Sequence, residues 1–168
     1  MGRRCRERPS PGLCVQIGRT RTNSYLADLN VWLALSWNRH PHSATAWNWF
    51  DSLNDAEVLF YRFTQVGILR LLTTRGVMQG DCLTVRQAWD VYDRWLGDPR
   101  VGFRQEVSGV GDCFRKATQP FLRTSSPKIL GDCYLVAISQ ASQARLVTFD
   151  RGLVQLCNKV CQDAVLLA

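Results

Sequence analysis

Apolar residues along this chain follow two alternating rhythms. Short runs rich in β-branched and aromatic residues read as strands: YLAD at 25–28, EVLFYRF at 57–63, VGFRQEV at 101–107, ARLVTFD at 144–150 and AVLLA at 164–168. Between them apolar positions recur every three or four residues, as one face of a helix requires. Residues 30–37 read as the first helix, and Ala44, Trp47 and Phe50 mark a second, opened by Pro41 and running to about Leu53. QVGILRLLT is a third, with Thr64 as its expected N-cap. After Thr84, the residues Val85, Ala88, Trp89, Tyr92, Trp95 and Leu96 hold the 3.6-residue period over three turns. Residues 109–122 and 131–142 give two more helices, the latter with Asp132 at its N-terminal end, and RGLVQLCN gives a helical turn. Gly76 and Gly80 mark a loop, as does TSSPK at 124–128. Strands alternating with helices predict an α/β domain with a mainly parallel sheet.

Composition narrows this picture. A chain of 168 residues, 46% apolar and 21% charged, suits one soluble domain with a real core. No apolar run approaches the roughly 20 residues that a membrane helix needs. The net charge is +7, but residues 1–23 hold six arginines against one acid, Glu7. With no hydrophobic period and several Pro and Gly, that stretch is expected to be a basic, mobile extension, and residues 24–168 the folded domain. It lacks the apolar segment of a secretory signal. It could hold nucleic acid through phosphates or do nothing. Seven cysteines without a C-x-x-C pair argue against a disulfide framework or a zinc site. Buried thiols in a reducing cytoplasm are the expectation.

Three acids fall at one kind of place. Asp28 ends the first strand, Asp150 ends the strand over 144–150, and Asp132 begins a helix. Ligands of open α/β sheets bind outside the carboxyl ends of the strands. Carboxylates gathered there repel and raise one another's pKa, a conflict that a divalent cation removes. Oxygen-only ligands point to Mg2+, with Mn2+ as the alternative. Such an ion supports in-line attack on a phosphodiester. Each acid alone also fits a plain turn or cap residue, and Asn30 could either support Asp28 or cap its helix.

These residues bring in a family. YLADLNVWLAL, HPHSATAWNWF, FTQVGILRLLT, LTVRQAWDVYDRWL, GDCYLVAISQA and ARLVTFDRGL, in this order over about residues 24–155, resemble a PIN-domain ribonuclease of the VapC type, the toxin of a type II toxin–antitoxin pair. The resemblance implies a PIN-like three-layer α/β/α fold, Mg2+-dependent cleavage of RNA, a homodimer and a VapB-like antitoxin partner. It places the metal-binding and catalytic acids on Asp28, Asp132 and Asp150, and a supporting hydroxyl on Thr148.

One acid is missing. Many PIN domains carry a Glu in the helix after the second strand, and here that position falls on Gly67 or its neighbours. Gln65 is polar but cannot carry charge, and Thr64 stands beside it in a supporting place. Gly152 also stands where some relatives have another acid. Arg70 is the best ordered arginine for a phosphate, and His42 could touch RNA from its loop, although both also fit plain surface roles. The six tryptophans read as core and dimer contacts. Two other readings stay open: a PIN fold without catalysis that binds antitoxin or RNA, and a haloacid-dehalogenase-like phosphatase. The latter lacks its second Asp, since Asn30 stands there.

Overall fold

The computed structural model describes residues 23–160 and 162–168. The expected basic tail over residues 1–23 lies, apart from Asn23, outside the described residues. Five parallel strands form one sheet: β1 (Ser24–Ala27), β2 (Glu57–Phe60), β3 (Val101–Phe103), β4 (Arg145–Thr148) and β5 (Ala164–Leu166), in the order β3-β2-β1-β4-β5. Helices α1 (Leu29–Ser36), α2 (Ser43–Asp51), α3 (Arg62–Leu72), α4 (Arg75–Met78) and α5 (Val85–Leu96) precede β3. Helices α6 (Val110–Thr118) and α7 (Pro127–Ser142) precede β4, and α8 (Arg151–Lys159) precedes β5. The α/β expectation is met in full.

Strand alternation explains the three layers. Ala27, Val58, Phe60 and Val147 turn to one face and join Val31, Trp32, Phe50, Ile68 and Tyr92. Leu26, Leu59 and Leu146 turn to the other and join Val136, Ile138 and Leu153. Since strand side chains alternate faces, adjacent residues serve opposite cores. Trp32 is fully buried, stacked on Phe60 at 3.8 Å and met edge-on by Trp95. Most of the tryptophans therefore do serve the core, as read from their spacing.

Several boundaries move, each for a local reason. Thr64 is not the N-cap of α3; Tyr61 is, and Thr64 lies inside the first turn, where its Oγ1 accepts from the Tyr61 N–H at 3.0 Å. The expected loop around Gly76 contains the short α4. In α2 the buried face is Ser43, Ala46 and Phe50, while Ala44 is exposed. In α5 the periodic stripe is split: Ala88, Val91 and Tyr92 are buried, but Val85, Trp89 and Leu96 face outward. Helix α7 begins at Pro127, where the ring's fixed φ and missing N–H suit a first position. Asp132 therefore lies in its second turn rather than at its start, and Lys128 is helical rather than in a loop. Among the described residues no helix is long and apolar enough to cross a membrane.

Candidate active site

Sheet order decides where the chemistry collects. From β1 the chain crosses one way to β2 and β3, and later returns to lay β4 and β5 on the other side. The reversal opens a crevice above the carboxyl ends of β1 and β4, where α/β folds take their ligands. Asp28 follows β1 directly and Asp150 follows β4 by one residue, so both stand at that crevice. Both also cap helices. Asp28 Oδ1 accepts from the Leu29 N–H at 2.6 Å at the start of α1. Asp150 Oδ1 accepts from the Gly152 N–H at 2.7 Å and, more weakly, from Leu153 at 3.4 Å, at the start of α8.

Thr148 joins the two. It is fully buried; its Oγ1 donates to Asp28 Oδ2 at 2.8 Å and accepts from the Asp150 N–H at 2.9 Å. One hydroxyl thus links the carboxylate of Asp28 to the backbone of Asp150. Asp28 titrates far from its ordinary value. Burial drives its carboxyl from 3.8 up to about 6, Asp132 and Asp150 add repulsion, and the bonds from Thr148 and Leu29 oppose the rise. Asp132, half-buried on α7, is also raised, by burial first and by Asp150, against the pull of Lys128. Asp150 moves the other way, held low chiefly by its bond to Lys128. Each of the three acids carries an electrostatic interaction with at least one other, so the structure gathers them around one crevice. Among the described residues, however, no three Asp, Glu, His or Cys side chains converge closely enough to form a ready-made metal cage.

The remaining candidates separate. Asn30 neither caps α1 nor holds Asp28; it lies exposed in the first turn of the helix. Gln65 is turned inward, 5% exposed, and accepts a bond from the Arg62 guanidinium, so its place is beneath the surface. Arg70 lies in the last turn of α3, at the end away from the crevice, because α3 starts where β2 ends. Arg62, one turn or more nearer the mouth and exposed, is the better placed cation; its guanidinium lies 4.9 Å from the centre of the Phe103 ring. His42 does reach the site's edge. Its ring stacks on Phe149, next to Asp150, with centroids 4.6 Å apart and planes 20° from parallel.

Gly67, at or beside the place where the resemblance expects a glutamate, has little room for a side chain. A Cβ built there would fall 2.4 Å from Leu29 Cδ2, so α1 and α3 approach too closely for any side chain without movement of Leu29. Leu29 adjoins Asp28 and fills the room that a longer residue at position 67 would need. Lys128 was not marked by the sequence reading. Its Nζ donates to Asp150 Oδ2 at 2.8 Å, and it stands four residues before Asp132 on the same helix face. That four-residue spacing was the available signal, once Pro127 is read as a helix start.

Comparison with known proteins gives the family. Ribonuclease VapC41 of Mycobacterium tuberculosis is 35% identical over 135 residues, covering 77% of this chain and 91% of the relative. Ribonuclease VapC39 of the same organism is 30% identical over 137 residues, covering 76% and 89%. No protein-family model matches the chain. Among solved structures, VapBC2 from Rickettsia felis, bound to a DNA fragment from its promoter, superposes with a TM-score of 0.62 at 13% identity, covering 86% of this chain and 99% of that one. VapC20 of M. tuberculosis, a sarcin-ricin loop cleaving toxin, gives 0.56 at 16% identity, covering 78% and 93%. Fold and site define a PIN-domain nuclease of the toxin–antitoxin type. The chain belongs to the VapC ribonuclease family, and the phosphatase reading falls away.

Proposed function

We propose that this protein is a Mg2+-dependent endoribonuclease in which Asp28, Asp132 and Asp150 hold the metal and carry catalysis. The observation that supports it most is the Thr148 hydroxyl tying Asp28 to Asp150 at the crevice between β1 and β4. The donor set fits a hard cation, since it consists of carboxylates with no thiolate or imidazole among them. Asp28 and Asp132 both carry raised pKa values that a divalent charge would lower. Bound there, Mg2+ or Mn2+ would supply neutralisation of the phosphodiester's charge and acidification of the attacking water. The protein's own residues orient and hold: Thr148 bonds the Asp28 carboxylate and the Asp150 backbone, and Arg62 and His42 stand at the rim where an RNA strand would lie.

The expected partners follow from the family: an RNA substrate, a VapB-like antitoxin and a second copy of this chain. Two neighbours in fold were solved as VapBC complexes, those from R. felis and from nontypeable Haemophilus influenzae. A second reading, a PIN fold that binds without cutting, draws on one observation: three ligands do not converge among the described residues, and Gly67 supplies no fourth acid. The test is RNA cleavage by the purified, antitoxin-free protein and by Asp28→Asn, with Mg2+, Mn2+ or EDTA. Metal-dependent cleavage abolished in the variant supports the nuclease. A folded wild type that cuts nothing under any metal condition supports the binding module.

A further inference from the structure

Lys128 occupies an unexpected place. It is the second residue of α7, where the helix's positive end disfavours a cation, and no acid in that first turn offsets it. What holds its ammonium there is Asp150 Oδ2, at 2.8 Å. The other oxygen of Asp150 is already committed to the Gly152 and Leu153 N–H groups. Lys128 thus takes the oxygen through which Asp150 would meet a metal. Its charge also acts on Asp132, one turn along the same face, and on Asp28. Yet its side chain is 71% exposed, so it can withdraw into water without repacking anything.

We propose that Lys128 is a built-in counter-cation, which neutralises the acidic crevice in the metal-free protein and is displaced from Asp150 when the divalent ion binds. The inference rests on the metal reading above. Two cations sharing one carboxylate oxygen repel, so the ion must either move the ammonium aside or bind more weakly beside it. Lys128 is then a positioning residue: it keeps three carboxylates compatible until the metal arrives, and it weakens the metal's hold by competing for one of them.

The test uses the full chain, freed of metal by chelation and dialysis. Mn2+ affinity is measured by calorimetry for wild type, Lys128→Met, Lys128→Arg and the double variant Asp28→Asn/Asp150→Asn. Thermal midpoints are measured with and without Mn2+. Lys128→Met should bind Mn2+ about two- to fivefold more tightly at low salt, the range expected of an exposed ion pair, with the gap closing at high salt. Its metal-free midpoint should fall below that of wild type, and its Mn2+-saturated midpoint should match. Lys128→Arg, which keeps the charge, should behave as wild type. Equal or weaker Mn2+ binding by Lys128→Met overturns the proposal while leaving the metal site standing. Wild type binding Mn2+ no better than the double Asp variant overturns the metal reading itself, and the exchange with it.

Discussion

Replacing Asp28 by Asn should stabilise the metal-free protein at neutral pH. The Asp28 carboxyl is lifted from 3.8 to about 6, chiefly by burial, with Asp132 and Asp150 contributing. An acid whose pKa is higher in the folded than in the unfolded state binds more protons when folded. Stability from this group is therefore present below about pH 4, is lost as pH climbs through about 6, and stays lost above it. At about 1.36 kcal/mol per pH unit, the loss at pH 7.5 is about 3 kcal/mol. The amide avoids that loss. It keeps an oxygen for the Leu29 N–H and can offer its NH2 to the Thr148 hydroxyl, though each bond is weaker than one to a carboxylate. Asp28→Asn should therefore exceed wild type by about 1–3 kcal/mol at pH 7.5, or about 3–10 °C in Tm, and by almost nothing at pH 4. Urea and thermal melts in EDTA across pH 4–8 measure this directly. Saturating Mn2+ should invert the order, because only wild type has the carboxylate for the ion to stabilise. An advantage for the variant that is the same at pH 4 and pH 7.5, or no advantage at pH 7.5, would refute the account of Asp28.

Thr148→Val should cost about 1–3 kcal/mol, since it strands the Asp150 N–H and removes a bond to Asp28, whereas Thr148→Ser should cost less; the urea midpoints of the pair test this. Gly67→Ala should lose about 1 kcal/mol net, overpacking against Leu29 outweighing the gain in helix propensity, and the sign should reverse in a Leu29→Ala background. If the sign stays the same in both backgrounds, Leu29 is not the obstacle. Arg62→Ala should raise the KM for an RNA substrate several-fold with a salt-sensitive deficit, while Arg70→Ala leaves it unchanged; steady-state cleavage assays separate them, and the opposite ranking would move the RNA path to the far end of α3.

The sequence by itself determined the repeating elements and the identity of the acids. Hydrophobic period is a local property, so the strands at Tyr25, Val58 and Leu146 and the helix over Val85–Leu96 could be read without knowing what they touch. The aspartates announced themselves because a carboxylate beside an apolar strand needs a reason. Helix starts were harder: Pro127 and Gly131 both signal one, and only packing chose the earlier, which carried Lys128 onto the face of Asp132. Burial of a stripe was likewise undecided from spacing, since Trp89 and Ala88 are neighbours in sequence but only the layer beneath fixes which one faces it. How far Gln65 and Arg70 stand from the crevice was undecided for the same reason, because it depends on where α3 begins and how it lies on the sheet. The strand order, which set β4 beside β1, was decided only in the tertiary structure. Thr148 bonds Asp28 across 120 residues of chain, and no local pattern encodes so distant a meeting. Side-chain period is written in neighbouring residues, whereas a shared hydroxyl, a raised carboxyl pKa and a lysine at an acid's free oxygen exist only once remote segments pack and exclude water.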